Sequence, residues 1–291
     1  MQNILVTGGN GQVGSELQVV ANNQSTYQFF FTDSADLDIT NPTAVLTYFQ
    51  KNQIHTCINC AAYTAVDTAE SSPEIARKVN VEGAENLAKA CVENGAKLIH
   101  LSTDYVYHNQ QNTPFKEGDE TNPQGVYAQT KLDGDLIATK ICPNTLIMRT
   151  SWVYSSFGNN FVKTMLRLGK ERDSLNVVFD QIGTPTYAKD IAEAAFEIIQ
   201  SIDNQKVKND AWQGVFHYSN EGVTSWYDFA EAIFDIENIE CNLGAIESVQ
   251  YPTPAKRPPF SVLNKGKIKT VFRLNIPHWR KSLGDCLEKL K

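Results

Sequence analysis

Residues 3–20 read NILVTGGNGQVGSELQVV, and this stretch decides the fold. Its opening, 3–7, is a short apolar β run. Its close, 12–21, sets Val13, Leu17 and Val20 on one helical face. Between them Gly8, Gly11 and Gly14 follow a GxxGxxG spacing. Residues without Cβ let the chain turn tightly and approach a pyrophosphate, and the N-terminus of the next helix favours its negative charge. A glycine-rich turn alone is common. Its place between an N-terminal strand and a helix is what points to a dinucleotide.

The pattern repeats outward from this unit. Residues 27–32 read as a second strand. Asn41-Pro42 opens a helix with proline at its first position. Residues 56–60 are a third strand. Residues 73–94 read as one long amphipathic helix, stopped by Gly95. A strand at 97–101, a helix at 127–140 and a strand at 145–148 follow. Parallel strands need crossovers, and helices supply them here. The fold class is therefore α/β, a Rossmann-type doubly wound parallel sheet. After Arg149 the pattern loosens. Helices are expected at 160–172 and 187–199 with a strand near 175–179 between them, then a strand at 215–218 and a helix at 225–234. A proline-rich stretch, YPTPAKRPPF at 251–260, leads to a final helix from His278. Residues 1–150 are expected to form the NAD(P)-binding core, with parts of 180–219 returning to it. Residues 151–291 are expected to form mostly a smaller, substrate-binding lobe.

Composition narrows the function. The chain has 291 residues, 42% apolar and 20% charged, which suits a globular protein with a large core. Net charge is −7 with no basic footprint, which argues against nucleic acid or an acidic membrane as partner. An anionic ligand must then be held by local positive groups. The start lacks a signal-peptide pattern, and no window nears ~18 uninterrupted apolar residues, so a cytoplasmic protein is expected. Cys57 and Cys60 form a CxxC, but within the strand-like IHTCINCAA and without a second CxxC or a histidine pair. They read as structural thiols of a reducing compartment.

Two further groups carry chemistry. Asp33, at the end of the second strand, can accept both ribose hydroxyls and repel a 2′-phosphate. No Lys or Arg stands near it in sequence, so NADH is favoured over NADPH, with both kept open. Asp36 and Asp38 follow closely enough to compete for the role. Tyr127 and Lys131 form YxxxK, one helical turn apart on one face. Ser102-Thr103-Asp104 precedes them at the C-terminal end of a strand, the edge where open α/β sheets bind ligands. Reducing a ketone needs an acid for the new alkoxide. A neighbouring lysine ammonium and the positive charge of the oxidised nicotinamide are expected to lower the tyrosine pKa, with Thr103 holding the carbonyl oxygen and tuning the phenol.

The ordered set GGNGQVG (8–14), NCAAYTAVDTAE (59–70), VNVEGAENLA (79–88), STDYVY (102–107), YAQTK (127–131) and RTSWVYSSFGNNFVKTML (149–166) resembles the extended short-chain dehydrogenase/reductases. Within them it is similar to the dTDP-4-dehydrorhamnose reductases, and GTPTYAKDIA (183–192), RPPFSVLNKGKI (257–268) and PHWRKSL extend the resemblance over nearly the whole chain. The resemblance implies reduction of a dTDP-linked 4-keto-6-deoxy sugar, the last step of dTDP-L-rhamnose synthesis. By it, Tyr127 is the proton donor, Lys131 holds the nicotinamide ribose and Thr103 is the third catalytic member. Gly8, Gly11, Gln12, Val13 and Gly14 would line the pyrophosphate, and Asp38 and Ile39 the adenine. Ala61, Ala62, Tyr63 and Thr64 would border the cofactor. The Tyr63 position usually holds His or Arg in this family. Thr103, Asp104 and Trp152 would meet the sugar. Arg257 is a separate candidate for a phosphate or sugar contact, because its guanidinium offers a fork of donors. Some relatives bind Mg²⁺ through glutamates at a homodimer interface. Glu16 matches one such position, but Lys189 stands at the second, so no metal is expected. An epimerase or dehydratase of another nucleotide sugar, and a non-catalytic reductase-like regulatory subunit, remain as alternatives.

Overall fold

The computed structural model describes residues 1–22, 24–208 and 210–291. Its first half runs β1 (Gln2–Thr7), α1 (Gln12–Ala21), β2 (Tyr27–Thr32), α2 (Pro42–Asn52) and β3 (Thr56–Asn59). Then come α3 (Val66–Ser71), α4 (Pro73–Arg77), α5 (Gly83–Glu93), β4 (Lys97–Thr103), α6 (Val126–Ile141) and β5 (Thr145–Thr150). The second half adds β6 (Val153–Tyr154), α7 (Phe161–Glu171), β7 (Ser174–Val178), β8 (Ile182–Gly183), β9 (Thr186–Tyr187) and α8 (Ala188–Asp203). It ends with β10 (Gly214–His217), β11 (Thr224–Ser225), α9 (Trp226–Glu237), β12 (Asn242–Ile246), α10 (Gly266–Phe272) and α11 (Trp279–Lys289).

Six parallel strands form one sheet in the order β10-β5-β4-β3-β1-β2. Strands β3 and β5 are buried along their whole length, and the pleat sorts the sheet's side chains between two faces. Ile4, Val6, Ile58, Ile99, Leu146 and Met148 pack with α1 and α8. Leu5, Cys57, Leu98 and Ile147 face the other way, onto a layer from α2, α5 and α6. A third apolar cluster joins α7, α9, α11 and β7.

The chain leaves β1 toward β2 on one side, and β3, β4, β5 and β10 lie on the other. The topological switch point is therefore the crevice between β1 and β3, where open α/β sheets take ligands. The loop after β1 is pressed onto the end of β3. Gly8 sits at φ +67°, and a Cβ there would lie 2.7 Å from the Ala61 amide nitrogen. A Cβ on Gly14 would lie 2.3 Å from the Gly8 carbonyl oxygen. Here the glycines are required by backbone meeting backbone, not only by a ligand.

One expected element differs. The helix read over 73–94 contains a π turn at Lys78–Glu82 between α4 and α5. The cause is Asn80, which is 2% exposed and needs partners. Its side chain accepts from the Tyr63 amide at 2.8 Å and donates to Thr130 Oγ1 at 3.1 Å. The widened turn thereby ties the segment after β3 to α6. At the crossing, Gly134 of α6 lets the Asn80 carbonyl approach so closely that a Cβ would stand 2.2 Å from that oxygen. Elements not anticipated are α3, α10, the two-residue strands β6, β8, β9 and β11, and strand β12, which pairs in parallel with β7.

Candidate active site

A cavity of about 870 Å³ opens at the switch point. Its wall brings together Gly8, Gly11, Gln12, Val13 and Gly14 from the first turn, Asp33, Asp38 and Ile39 beyond β2, and Ala61, Ala62, Tyr63 and Thr64 beyond β3. Thr103 and Asp104 at the end of β4, Tyr127 and Lys131 on α6, and Trp152 after β5 complete it. Sequence reasoning missed Asn10, Ser34, Leu37, Cys60, Tyr105, Gly158 and Asn159, which share the wall. Asn10 had a signal, since it sits inside the glycine turn, where its amide donates to the Asp33 carboxylate. Gly158 and Asn159 come from a loop whose approach depends on tertiary packing. It is held there by Asn160, which donates to the Gln12 side chain at 3.0 Å.

Arg257 is the exception. It is absent from the cavity wall. Its guanidinium is a bidentate partner of Asp67, at 2.6 and 2.7 Å, and also donates to the Ala255 carbonyl at 2.7 Å. The fork of donors is occupied within the chain, tying the C-terminal segment to α3. Glu16 is likewise engaged. It is 1% exposed, accepts from Ser155 Oγ at 2.7 Å and pairs with Lys289 at 3.0 Å. Among the described residues no group of three or more His, Cys, Asp or Glu could hold a metal ion.

The reacting end of the wall is set by α6. Gly125, at φ +92°, turns the chain into the helix. The Glu70 carboxylate accepts from the Val126 amide at 2.7 Å, capping the helix N-terminus where negative charge is favoured. Tyr127 therefore stands in the first turn and Lys131 one turn deeper. Tyr105 meets Tyr127 edge-on with ring centroids 5.6 Å apart. Lys131 Nζ donates to the Leu101 carbonyl at 2.8 Å. Thr103 Oγ1 accepts from the Tyr105 amide and donates to Asp104 Oδ1, each at 3.2 Å.

Burial dominates the charges. It pushes the Tyr127 phenol up to about 12, with Asp104 and Asp135 adding to the rise and the Thr103 hydroxyl opposing it. In the chain alone, desolvation outweighs the groups that favour a tyrosinate; the expected lowering counts on the oxidised nicotinamide's positive charge as well as on Lys131, and so concerns the cofactor-bound site. Burial draws Lys131 down to about 8, against the pull of Asp135. It pushes Asp104 up to about 7, with Ser261 and Thr103 opposing. Asp33, at the surface, is held below the usual carboxylate range by the Ala35 and Asp36 amides.

Trp152 is constrained by close packing. It takes φ +47°, stacks on Trp226 at 3.7 Å between centroids, and covers Gly183, where a Cβ would lie 2.5 Å from its ring. A side chain held in the left-handed region costs of order 1–3 kcal/mol and persists only where packing enforces it.

The chain matches, over residues 1–291, a family model described as the RmlD substrate binding domain. It is 41% identical to the dTDP-4-dehydrorhamnose reductase of Escherichia coli strain K12, covering 99% of this chain and 98% of that protein. This chain belongs to the dTDP-4-dehydrorhamnose reductase family. A solved dTDP-4-dehydrorhamnose reductase from Clostridium acetobutylicum superposes with a TM-score of 0.93 at 40% identity, covering 99% of both chains. Another from Bacillus anthracis, solved in complex with NADP, gives 0.92 at 35% identity, covering 99% of this chain and all of that one. Among the described residues no helix is long and apolar enough to cross a membrane.

Proposed function

We propose that this chain reduces dTDP-4-dehydro-β-L-rhamnose to dTDP-L-rhamnose with a reduced nicotinamide cofactor, the last step of dTDP-L-rhamnose synthesis. One observation carries the reading: in this member of the reductase family Thr103, Tyr127 and Lys131 share one wall of a switch-point cavity. The glycine turn fits a dinucleotide, since Gly8, Gly11 and Gly14 leave backbone bare at the start of α1. The Gly8–Gly14 turn would hold the pyrophosphate, Asp33 the adenosine ribose, and Asp38 and Ile39 the adenine. Ala61, Ala62, Tyr63 and Thr64 would border the cofactor, and Lys131 would hold the nicotinamide ribose. The bound cofactor supplies the hydride that C4 of the sugar receives.

The chain's own groups do the rest. Thr103 Oγ1 holds the C4 carbonyl oxygen in line with Tyr127. The phenol is protonated at neutral pH, as a proton donor must be, and gives its proton to O4 as the C–H bond forms. The Lys131 ammonium stabilises the resulting tyrosinate. Asp104 and Trp152 orient the sugar. The cytoplasmic setting belongs to the same reading.

NADH is the favoured cofactor. Asp33 is ionised beside the ribose site, and Lys131, at the far end, is the only Lys or Arg in the described wall. The NADP held by the Bacillus anthracis relative makes this a point for measurement. The test is oxidation of NADH and NADPH, supplied separately, with the 4-keto-L-sugar generated in place from dTDP-glucose. Rapid oxidation that requires the complete mixture, and its abolition in Tyr127→Phe with cofactor binding retained, is the expected result. Near-normal turnover in Tyr127→Phe removes that role from Tyr127. Silence of the folded wild type with both cofactors sinks the reaction.

A further inference from the structure

Beneath Lys131 lies a polar cluster that the reaction above does not use. Asn59 closes β3, His100 lies in β4, Asp135 is on α6 and Arg149 is in β5, and none is more than 3% exposed. Asn59 has its orientation decided by the backbone. Its Oδ1 accepts from the Ala61 amide at 3.1 Å and from Thr7 Oγ1 at 2.7 Å, which leaves Nδ2 as the group facing His100 Nδ1 at 3.0 Å. An imidazole nitrogen that accepts is unprotonated, so a neutral ring carries its proton on Nε2. That Nε2 is 3.3 Å from Lys131 Nζ and 3.8 Å from Asp135 Oδ1. Lysine ammonium has donors and no acceptor. It therefore meets an N–H where it would need a lone pair, whereas the neutral amine could accept that N–H. On the other side, Asp135 Oδ2 accepts from Arg149 Nε at 3.1 Å, while Oδ1 has no hydrogen-bond partner among the described residues.

We propose that His100 and Asp135 are positioning residues that set the charge on Lys131 in opposite directions: Asp135 through its carboxylate toward the ammonium, and His100 through the Nε2–H that Asn59 aims at Nζ toward the neutral amine. The inference deepens the reading of Lys131 as the group that stabilises the Tyr127 oxyanion, and rests on it for its effect on rate. The surrounding groups are consistent with this balance. Cys60, from the segment after β3, faces Lys131 with a thiol that burial pushes up, so it is uncharged. His100 is held well below its usual range by burial and then by Lys131, so it too is uncharged. Tyr127 shares the helix face and is protonated. Arg149 acts through Asp135, whose carboxyl burial pushes up while Arg149, Lys131 and the Ser102 hydroxyl pull it down. Among the described residues Asp135 is the one carboxylate that raises Lys131, and burial opposes it. The chain of contacts continues from Arg149 to the Tyr107 hydroxyl at 2.7 Å and on to His217 at 2.8 Å. It is no proton wire, because an arginine does not give up its proton in proteins.

The experiment reads Lys131 directly. Protein labelled with 13C at lysine Cε is titrated by NMR, and the Lys131 resonance is identified by its loss in Lys131→Met. The expected wild-type midpoint lies below those of the other lysines. Asp135→Asn should lower it by about one pH unit or more, the usual effect of removing a nearby opposite charge. His100→Phe should raise it. The alkaline limb of kcat/KM should move with each midpoint, down for Asp135→Asn and up for His100→Phe. Midpoints that stay put in both variants, or move the same way in both, overturn the proposal. Because a variant can fail to fold, the 15N shifts of His100 in the wild-type protein provide a second reading. A protonated Nε2 and bare Nδ1 across pH 6–9 is expected, and the reverse tautomer or an imidazolium overturns it. Near-normal kcat/KM in Lys131→Met would instead remove the catalytic reading of Lys131 and leave the charge-setting result standing.

Discussion

Replacing Gly134 by alanine tests how the reacting groups are held. In an ordinary helix interior this change stabilises by about 0.8–1.0 kcal/mol, through propensity alone. Here the new Cβ would lie 2.2 Å from the Asn80 carbonyl oxygen, roughly an ångström inside normal contact. Asn80 cannot yield freely, because its side chain is tied to Tyr63 and Thr130. Helix α6 must then move off the π turn. Overpacking of this kind typically costs about 1–3 kcal/mol, which exceeds the propensity gain. The net expectation is a loss of up to ~2 kcal/mol and a Tm lower by a few degrees. Tyr127 and Lys131 ride on the same helix, and a displacement near 1 Å at reacting groups costs on the order of 100-fold in rate. Gly284, inside α11, has nothing within 4 Å of a built Cβ, so Gly284→Ala serves as the control. It should raise Tm and leave kcat alone. The assay is thermal unfolding plus steady-state kinetics on both variants. If Gly134→Ala also raises Tm with unchanged kcat, the argument that the Asn80–Gly134 contact positions α6 is wrong.

Three other perturbations have worked signs. The Asp104 carboxyl is raised to about 7 in the folded chain, so the folded state binds its proton more tightly than the unfolded one. That contribution is full below an unfolded value near 4 and is lost as pH rises toward 7; Asp104→Asn should flatten the decline in Tm between pH 5 and 8, and parallel curves would refute the assignment. Glu70→Ala removes the carboxylate that accepts from the Val126 amide, and should cost about 0.5–2 kcal/mol with a several-fold fall in kcat. Glu70→Gln, which keeps an acceptor, should recover most of both. Asp33→Asn removes the charge at the ribose site and should raise the kcat/KM ratio of NADPH to NADH, read from initial rates; an unchanged ratio would take that role from Asp33.

Much of this molecule is legible in its sequence where the information is short-ranged. The strand, glycine turn and helix of 3–20 follow from adjacent residues, because a missing Cβ and a helical period are local properties. The YxxxK spacing places Tyr127 and Lys131 on one face for the same reason. Alternating runs of apolar strand and amphipathic helix were enough to determine the doubly wound class. Other features depend on residues far apart in the chain. The π turn at Lys78–Glu82 breaks a continuous helical pattern because the buried amide of Asn80 must meet Tyr63 and Thr130. Strand β12 has little strand character of its own and exists by pairing with β7. Arg257 is paired with Asp67, 190 residues away in sequence. Charge follows the same division. Sequence identifies which groups can ionise, but burial decided that Tyr127 rises, Lys131 falls and His100 stays neutral. Residue order alone determined the kind of fold and the reacting groups it carries. Only the tertiary structure, by removing water and bringing distant partners together, decided where those groups point and which of them bear a charge.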